Sequence, residues 1–377
     1  MKLEWHHLPG PGLFADQIIA DLRSGISIIL IGTRTSPEGI ARSIRATLSQ
    51  EAYHWHIIDG DGKDPLTALF DYFKPARKAG EIISILSLTS LPNFVSGIIE
   101  LNIANKEAWT EWAPFLEDYS YFCRDQDPLL RSQFIVIIPR SLSALLPRED
   151  ILLRTYDVSA SYSTNDIRIY AMYLAERGKG SPLKKQLVAS IAAELSIWDR
   201  DLCERLCSAS LAALVDPSRV LSEYGTSLGW KAPNVADEVR LLEEQGIVRP
   251  IGQSLEYHSG FLSIKGDHAT IQRRVWQGMV SVLFPLIEVR RQEFIDTYRY
   301  LLEVPHQSPD GSYITDILDL DWGNICYQLN ARRSFIHKDI YASANTFREA
   351  RNALAHNELV PVDVIQSGVM ERPVKSI

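Results

Sequence analysis

Short apolar runs rich in β-branched residues recur through the first 160 residues and constrain the fold more than any other feature. The first run, residues 26–31, lies between Gly25 and Gly32. Similar runs follow at residues 54–59, 82–88, 134–139 and, more weakly, 151–158. Continuous apolar runs of this length, bounded by turn residues, are typical of strands that are buried on both faces of a parallel sheet.

Helical patterns separate several of these runs, at residues 65–73 and 94–103. A further helix is predicted directly after the first strand, because Ser36 can cap it and Pro37 suits its first position. Strands that alternate with helices, joined by right-handed crossovers, form a doubly wound parallel sheet. We therefore predict an α/β parallel-sheet domain over residues 1–176.

A nucleotide site in such a domain would lie where the first strand meets the first helix, because backbone N–H groups and the helix dipole converge there on phosphate. The turn at residues 32–39 lacks the lysine and the spacing of GxxxxGK(S/T), and Glu38 places a carboxylate where phosphate needs a cation. The run at 82–88 is followed by Thr and Ser, with no acidic residue to hold magnesium. ATP hydrolysis is therefore not expected, and no cofactor is predicted.

The order of these strands, followed by a strand that leads into a helix at residues 165–178 and by further helices, resembles the core and lid of AAA+ P-loop ATPases. The resemblance covers residues 20–220, although the Walker motifs are missing. It implies an ATPase fold that has lost its nucleotide chemistry and remains as a scaffold. An unrelated doubly wound domain is the alternative.

Helix-breaking residues at 176–182 mark the end of this domain. Apolar residues at helical spacing then predict one or two helices over residues 183–207. A helix at 235–246, followed by two strands around Gly252-Gln253, resembles a winged helix. We therefore predict a helical lid with a winged-helix-like part over residues 181–265.

The helix of this winged-helix-like part is acidic, with Glu238, Glu243 and Glu244 close together. Carboxylates at that face would repel the phosphates of DNA. A structural or protein-binding winged helix is therefore favoured over a DNA-binding regulator, which remains a weaker alternative.

The sequence from about residue 268 lacks strand-like alternation and predicts an all-α bundle. A long helix is expected over residues 269–303, with Pro285 as a kink. Shorter helices are expected near residues 313–329, 332–341 and 342–356. In the last helix, the residues predicted to pack inward are Phe347, Ala350 and Leu354.

Arg351, Asn352 and His356 lie in this last helix and match the R-x4-6-H motif of HEPN domains, which are helical bundles. The resemblance covers residues 268–365, and a tail follows at 366–377. It implies a metal-independent ribonuclease site, often completed by dimerisation, with these three residues as the catalytic set. Asn352 would orient the site or the substrate.

The residue types suit this chemistry. RNA cleavage without a metal uses the 2′-hydroxyl as nucleophile, so it needs a base or acid near neutral pH and a fixed positive charge for the phosphorane. His356 has the first property and Arg351 the second. Because Arg332-x4-His337 fits the same bare pattern, the Arg351 match depends on its neighbouring asparagine, on the small residues between and on its position late in the bundle.

Other groups of polar residues have plainer explanations. Cys203 and Cys207 lie one helical turn apart, and His54 and His56 lie on one side of a strand, yet neither pair has the further ligands that a metal needs. The cluster at Asp316, Asp319 and Asp321 is typical of a solvated face or a helix start. Internal ion pairing is expected for the basic residues Arg273, Arg274, Arg290, Arg291, Arg299, Arg332, Arg333 and Lys338. No metal site is predicted.

Composition excludes several classes of protein. The chain is 46% hydrophobic and 23% charged, which is typical of a soluble globular protein and excludes a disordered or collagen-like chain. Its formal charge of −8 means that any nucleic-acid contact must come from a local patch. Four cysteines suit a reducing cytoplasm, and no apolar run reaches the length of roughly 20 residues that crosses a bilayer.

These observations together favour a cytoplasmic, metal-independent HEPN-type endoribonuclease that acts as a regulated toxin or phage-defence component. The expected partners are RNA, a second copy of the chain bound through the C-terminal bundle, and a protein such as an ATPase. The alternative is a non-enzymatic subunit of a defence complex, with an ATPase-like scaffold and a bundle that dimerises.

Overall fold

The computed structural model describes residues 3, 5–33, 38–51, 53–60, 62, 64–74, 82–139, 142, 149–158, 163–232, 239–251, 254–308, 311–332 and 337–374. The chain divides into two compact units. The first unit comprises residues 1–166 and 236–256, and the second unit comprises residues 167–235 and 257–377.

The first unit contains the predicted parallel sheet. Its strands are β1 (Ile28–Thr33), β2 (His54–Asp59), β3 (Gly97–Asn102), β4 (Gln133–Pro139) and β5 (Leu153–Asp157). They pair in the order β2-β3-β4-β1-β5, and every neighbouring pair is parallel. The apolar runs at 26–31, 54–59, 134–139 and 151–158 therefore form strands, as predicted.

The predictions of a strand at residues 82–88 and of a helix at 94–103 are both wrong. Ser84 and Ser87 form a reciprocal capping box that starts the short helix Ile85–Leu88, whereas β3 lies within the predicted helix. Short apolar runs do not distinguish a buried strand from a buried helix, so these local cues were ambiguous. The sheet resolves them, because β3 pairs with β2 over Gly97–Asn102 and with β4 over Ile98–Asn102.

Helices cover both faces of the sheet. They are α1 (Pro9–Arg23), α2 (Glu38–Ser49), α3 (Pro65–Phe73), α4 (Ile85–Leu88) and α5 (Lys106–Cys123). On one face, Ile28 and Leu30 of β1 join an aromatic core that includes Phe70 of α3 and Trp112 of α5. On the other face, Phe14 of α1 packs edge-on against Tyr156 of β5.

The middle of the chain follows the predicted order of elements. Its elements are α6 (Thr164–Glu176), α7 (Pro182–Ser196), α8 (Arg200–Cys207), α9 (Leu211–Val215), α10 (Ser218–Ser227), α11 (Val239–Glu244), β6 (Val248–Ile251) and β7 (Ser254–Tyr257). The predicted break lies between α6 and α7, where Ser181 caps α7 and Pro182 takes its first position. The helix at α11 and the paired strands β6 and β7 agree with the predicted helix and hairpin, while Glu238 and residues 252–253 lie outside the described residues.

The last part of the chain is mainly helical. It contains α12 (Ser259–Lys265), α13 (His268–Tyr298), β8 (His306–Gln307), β9 (Tyr313–Ile314), α14 (Trp322–Ala331), α15 (Lys338–Ala355) and α16 (Val362–Gln366). The long helix ends at Tyr298 rather than at residue 303, and a 3-10 turn follows it. None of the described helices is both long and apolar enough to cross a bilayer.

Two details of this part differ from the sequence prediction. Strands β8 and β9 form a small antiparallel pair where only helices were expected. The helix predicted at 342–356 is present, but its separation from the helix predicted at 332–341 is wrong, because α15 is one continuous helix that begins after its cap, His337. Its buried residues recur every three or four positions from Ile340 to Leu354, so no local feature interrupts it.

Close helix packing organises the second unit. Helices α7 and α13 approach each other at Gly278, where an added Cβ would lie 2.7 Å from the Cα of Ile191. In the bundle, Trp322 of α14 stacks on Phe347 of α15 with ring centroids 4.9 Å apart. Phe347, Ala350 and Leu354 are all buried, so the predicted inward stripe of the last helix is confirmed.

Candidate functional site

The carboxyl ends of the strands define the first candidate site. The chain leaves β1 towards β2 at one edge of the sheet but leaves β4 towards β5 on the other side of β1. Ligands of open α/β sheets bind where neighbouring connections diverge in this way. The relevant crevice therefore lies beyond the ends of β1 and β4, at Thr33 and Pro139.

The side chains at this end of the sheet do not suit magnesium and phosphate. Strand β3 ends at Asn102, and Asn105 caps α5 by accepting the N–H of Ala108 at 2.8 Å, so amides stand where a carboxylate would hold the metal. Asp157 of β5 is paired in register with Gly32 of β1. The end of β1 is thus flanked by a carboxylate, while residues 34–37 of the turn lie outside the described residues.

The second candidate site is the end of α15, which carries Arg351, Asn352 and His356. His356 is the C-cap residue, and its backbone N–H donates to the carbonyl of Asn352 at 3.0 Å. The side chains of Asn352 and His356 are exposed, whereas Arg351 is half-buried. Trp276 of α13 donates its indole N–H to the carbonyl of Leu354 at 2.9 Å and so fixes this helix end.

The structure brings Arg351 and Asn352 together, with 3.4 Å between Nη1 and Oδ1. Five residues along a helix turn the side chain by about 140° from the starting direction. Arg351 and His356 therefore leave different faces of α15, and within one chain the helix does not direct them to a single point.

Arg351 lines a small cavity of about 110 Å³ whose lining also includes Phe284, Glu288, Arg291 and Asp321. Arg291 donates to Glu288 at 2.9 Å, and this hydrogen bond, with the charges of both arginines, holds the pKa of Glu288 below its usual range. The Asp321 carboxylate caps α14. Arg351 therefore shares this cavity with two carboxylates, and its positive charge is one of those that lower the Glu288 pKa.

Both residues of the second match to the motif, Arg332 and His337, have partners within the fold. Arg332 donates to the carbonyl of Leu301 at 2.7 Å and pairs with Glu303. His337 caps α15 and lies 3.1 Å from Asp339. A bare sequence pattern does not reveal these partners.

The other polar clusters are structural in the described residues. Cys207 hydrogen-bonds Cys203, and this bond together with burial raises the Cys203 pKa well above its usual value, as is typical of a buried structural thiol. His56 lies on the edge strand β2 against Phe73, and burial lowers its pKa. No group of three His, Cys, Asp or Glu side chains in the described part of the chain could hold a metal.

The acidic and basic side chains near α13 are also accounted for. Asp316 caps a 3-10 turn and Asp321 caps α14, which agrees with the expected helix starts. Arg290 pairs with Glu293 at 2.6 Å, and Arg274 donates to Ser259. Ion pairing is therefore confirmed for Arg290, Arg291 and Arg332. Arg274 instead binds neutral oxygens, and Arg333 lies outside the described residues.

Sequence reasoning missed a buried cluster in the second unit, centred on Asp199 and His258. One oxygen of Asp199 accepts from the Tyr224 hydroxyl at 2.8 Å and lies 3.1 Å from Nε2 of His258. Nδ1 of His258 accepts the N–H of Gly260 at 3.1 Å, so this network assigns the ring proton to Nε2, which donates to Asp199. Burial opposes the charge of Asp199, but the hydrogen bonds that its carboxylate accepts from His258, from the N–H of Leu202 and from Tyr224 outweigh burial and lower the Asp199 pKa to about 2.

This cluster locks helices together and is not an accessible site. His258 is fully buried, with its ring against Trp198 and Trp230. Asp199 caps α8 and His258 caps α12, so this hydrogen-bonded pair caps the N-termini of two helices. An aspartate before a helix is a visible signal of a cap, but its partner lies 59 residues away in sequence.

Comparison with known proteins gives only distant structural matches. No family model and no curated protein matches the chain. A mutant RuvB of Thermotoga maritima is 12% identical with a TM-score of 0.34, covering 67% of this chain and 92% of that one. Drosophila ORC bound to GC-rich DNA and Cdc6 is 10% identical with a TM-score of 0.28, covering 97% of this chain and 68% of that one.

With TM-scores below 0.5, neither match establishes the fold or the function of this chain. The structure contains a five-stranded parallel sheet followed by helical segments. These matches give the HEPN resemblance no support.

Proposed function

We propose that this chain is a non-hydrolytic subunit of a larger assembly, in which an AAA+-like α/β domain serves as a protein-binding scaffold. One observation supports the proposal. P-loop enzymes bind Mg-nucleotide at the carboxyl ends of the strands. In this chain that end of the sheet has amides where the metal needs a carboxylate, and a carboxylate beside the strand that phosphate would approach. Asn102 ends β3, and Asp157 lies beside Gly32 of β1. In the sequence, residues 32–39 contain no lysine.

The reason that this end of the sheet does not suit Mg-nucleotide is electrostatic. Phosphate in a P-loop is held by a lysine, by backbone N–H groups and by a magnesium ion whose carboxylate ligand completes the site. Asn102 is neutral and is a weaker ligand for Mg²⁺ than a carboxylate. Asp157, which is paired with Gly32 of β1, would repel a phosphate chain at this end of the sheet. The sequence adds a further carboxylate, Glu38, in the segment that follows β1.

Amide hydrogen exchange of the full chain tests this proposal locally. We expect millimolar Mg-ATP to leave the exchange of β1 and α2 unchanged, because nothing there holds the phosphates. Added protection of residues 28–49 would contradict the proposal, since bound ligand stabilises the folded state of its own site.

A second candidate function is RNA cleavage by Arg351, Asn352 and His356, completed by a second copy of the chain. Three polar side chains at one helix end favour it: Asn352 and His356 are exposed, and the guanidinium of Arg351 reaches the Asn352 amide. Because Arg351 and His356 leave α15 in different directions, each would meet its counterpart from the other copy. Such a site would act on RNA without metal.

Cleavage of a mixed RNA substrate in EDTA distinguishes this candidate, with His337→Ala as the matched control for His356→Ala. If His356 is the acid or base, its removal lowers the rate by about 100-fold or more, while His337→Ala retains activity. Equal activity of both variants, or no cleavage by the unmodified chain, would eliminate the candidate. Neither outcome affects the scaffold proposal for the α/β domain.

A further inference from the structure

A basic cavity lies in the second unit, away from both candidate sites described above. Its volume is about 440 Å³, and its walls come from the end of α6, the start of α7 and the end of α8. Small-molecule sites have volumes of roughly 300–1,000 Å³, so the cavity has the size of a ligand site. Its basic lining residues are Arg177, Lys179, Lys184 and Lys185.

We propose that this cavity binds a small organic phosphate such as a nucleotide, with the phosphate at the start of α7 and the organic part against the apolar wall. The apolar wall includes Leu174, Ala175, Val188 and Ala209. A site that is half basic and half apolar matches a ligand that is charged at one end only.

The strongest evidence is the position of two lysines within α7. Lys184 and Lys185 lie in its first turn, which contains no acidic residue of its own, while the Ser181 hydroxyl that caps the turn donates to Glu371. The positive end of the helix dipole disfavours cations at this place. An anion bound beside the turn would be stabilised by the dipole and by both lysines, while Pro182 has no N–H and the N–H groups of Lys184 and Lys185 are already bound to Ser181.

Arg177 and Lys179 follow the end of α6, where cations are favoured by the dipole and need no ligand. Their importance is that they line the same cavity as Lys184 and Lys185. Four cations thus converge in a chain whose formal net charge is −8.

Existing partners neutralise only part of this charge. Lys185 donates to the carbonyl of Glu176 at 2.8 Å and pairs with its carboxylate at 3.3 Å. The one carboxylate of the lining, Glu204, is already paired with Arg200 at 3.1 Å. Lys179 and Lys184 have no ion pair within the described residues, so both ammonium groups can bind phosphate.

The loop between α6 and α7 also has a conformation that depends on glycine. Gly180 has φ +139°, and a Cβ there would lie 2.9 Å from Cδ of Lys184. The stem of Lys184 therefore lies directly over this residue. This φ favours glycine, and any other residue would also push the flexible stem of Lys184 aside.

Isothermal titration of the full chain tests the proposal, with ADP, pyrophosphate and adenosine as the probes. We expect ADP to bind most tightly, pyrophosphate more weakly and adenosine least, because ADP alone contacts both halves of the cavity. The Lys179→Glu/Lys184→Glu variant should weaken ADP binding by at least about tenfold, since two charge-assisted contacts are lost. Lys231→Glu/Lys338→Glu is the matched control, because both lysines are exposed and lie outside the lining.

Failure of ADP and pyrophosphate to bind the unmodified chain would overturn the proposal, as would equal ADP affinity in the two double variants. Binding of an RNA oligonucleotide but not ADP would also overturn it and would indicate a nucleic-acid surface instead. Gly180→Ala gives a second test without a charge change: it should weaken ADP binding while the melting temperature shows that the unit still folds.

Discussion

Replacement of Asp199 by alanine is expected to lower the free energy of unfolding of the second unit by about 3–5 kcal/mol. The carboxylate binds Tyr224, His258 and the first turn of α8 at once. Its removal leaves two buried donors without an acceptor and α8 without its cap. Urea denaturation followed by circular dichroism measures the change.

Asp201→Ala is the control, because Asp201 lies two residues further along α8 and its side chain is exposed. We expect this variant to stay within about 1 kcal/mol of the unmodified chain. Equal stability of the two variants would show that the buried cluster does not hold α8 and α12 together.

The same carboxylate makes stability depend on pH. Its folded-state pKa of about 2 lies below the ordinary value of 3.8, so its contribution is fully present above pH 3.8. As the pH falls towards 2 the folded protein must take up the proton that the unfolded chain already binds, and about 2 kcal/mol is lost. Unfolding free energies measured through this range should fall more steeply for the unmodified chain than for Asp199→Ala.

Replacement of Trp112 by alanine is expected to cost the first unit about 3–5 kcal/mol. The indole of Trp112 is fully buried beneath the sheet, and its N–H donates to the carbonyl of Gly60 at 2.8 Å. The change therefore opens a cavity between α5 and the sheet and removes the donor that binds the residue after β2. Amide exchange of β2 and β3 reports this loss within the first unit.

Tyr121→Ala provides the comparison on the same helix, since Tyr121 is 71% exposed and contacts Arg124 at the surface. Its loss should cost less than about 1 kcal/mol. If both variants accelerated the exchange of β2 and β3 equally, the aromatic core under the sheet would not be what stabilises it.

The sheet was predictable where apolar runs had unambiguous boundaries. The run at β1 lies between glycines, and the one at β4 ends in proline, so both strands follow from the sequence. The third strand did not follow, because the residues of β3 have apolar spacing that also suits a helix. Only pairing with β2 and β4, which involves distant residues, distinguishes the two.

The candidate sites show the same limit on what can be predicted from the sequence. The Arg351 motif is visible in the sequence, but the direction of its side chains and the carboxylates around it come from α13 and α14. The sequence predicts a boundary at residues 176–182, but Arg177, Gly178 and Lys179 of this segment also form one wall of a cavity. Its other wall comes from α8, which folding brings together with α6 and α7.

Phosphate release from ATP by the purified full-length chain tests the central claim most directly. Because β3 ends in Asn102 and no lysine follows β1, we predict that Mg²⁺ produces no release above that of a heat-inactivated sample. Release that requires Mg²⁺ and disappears in Asn102→Ala would contradict the account, since the sheet would then retain a working nucleotide site.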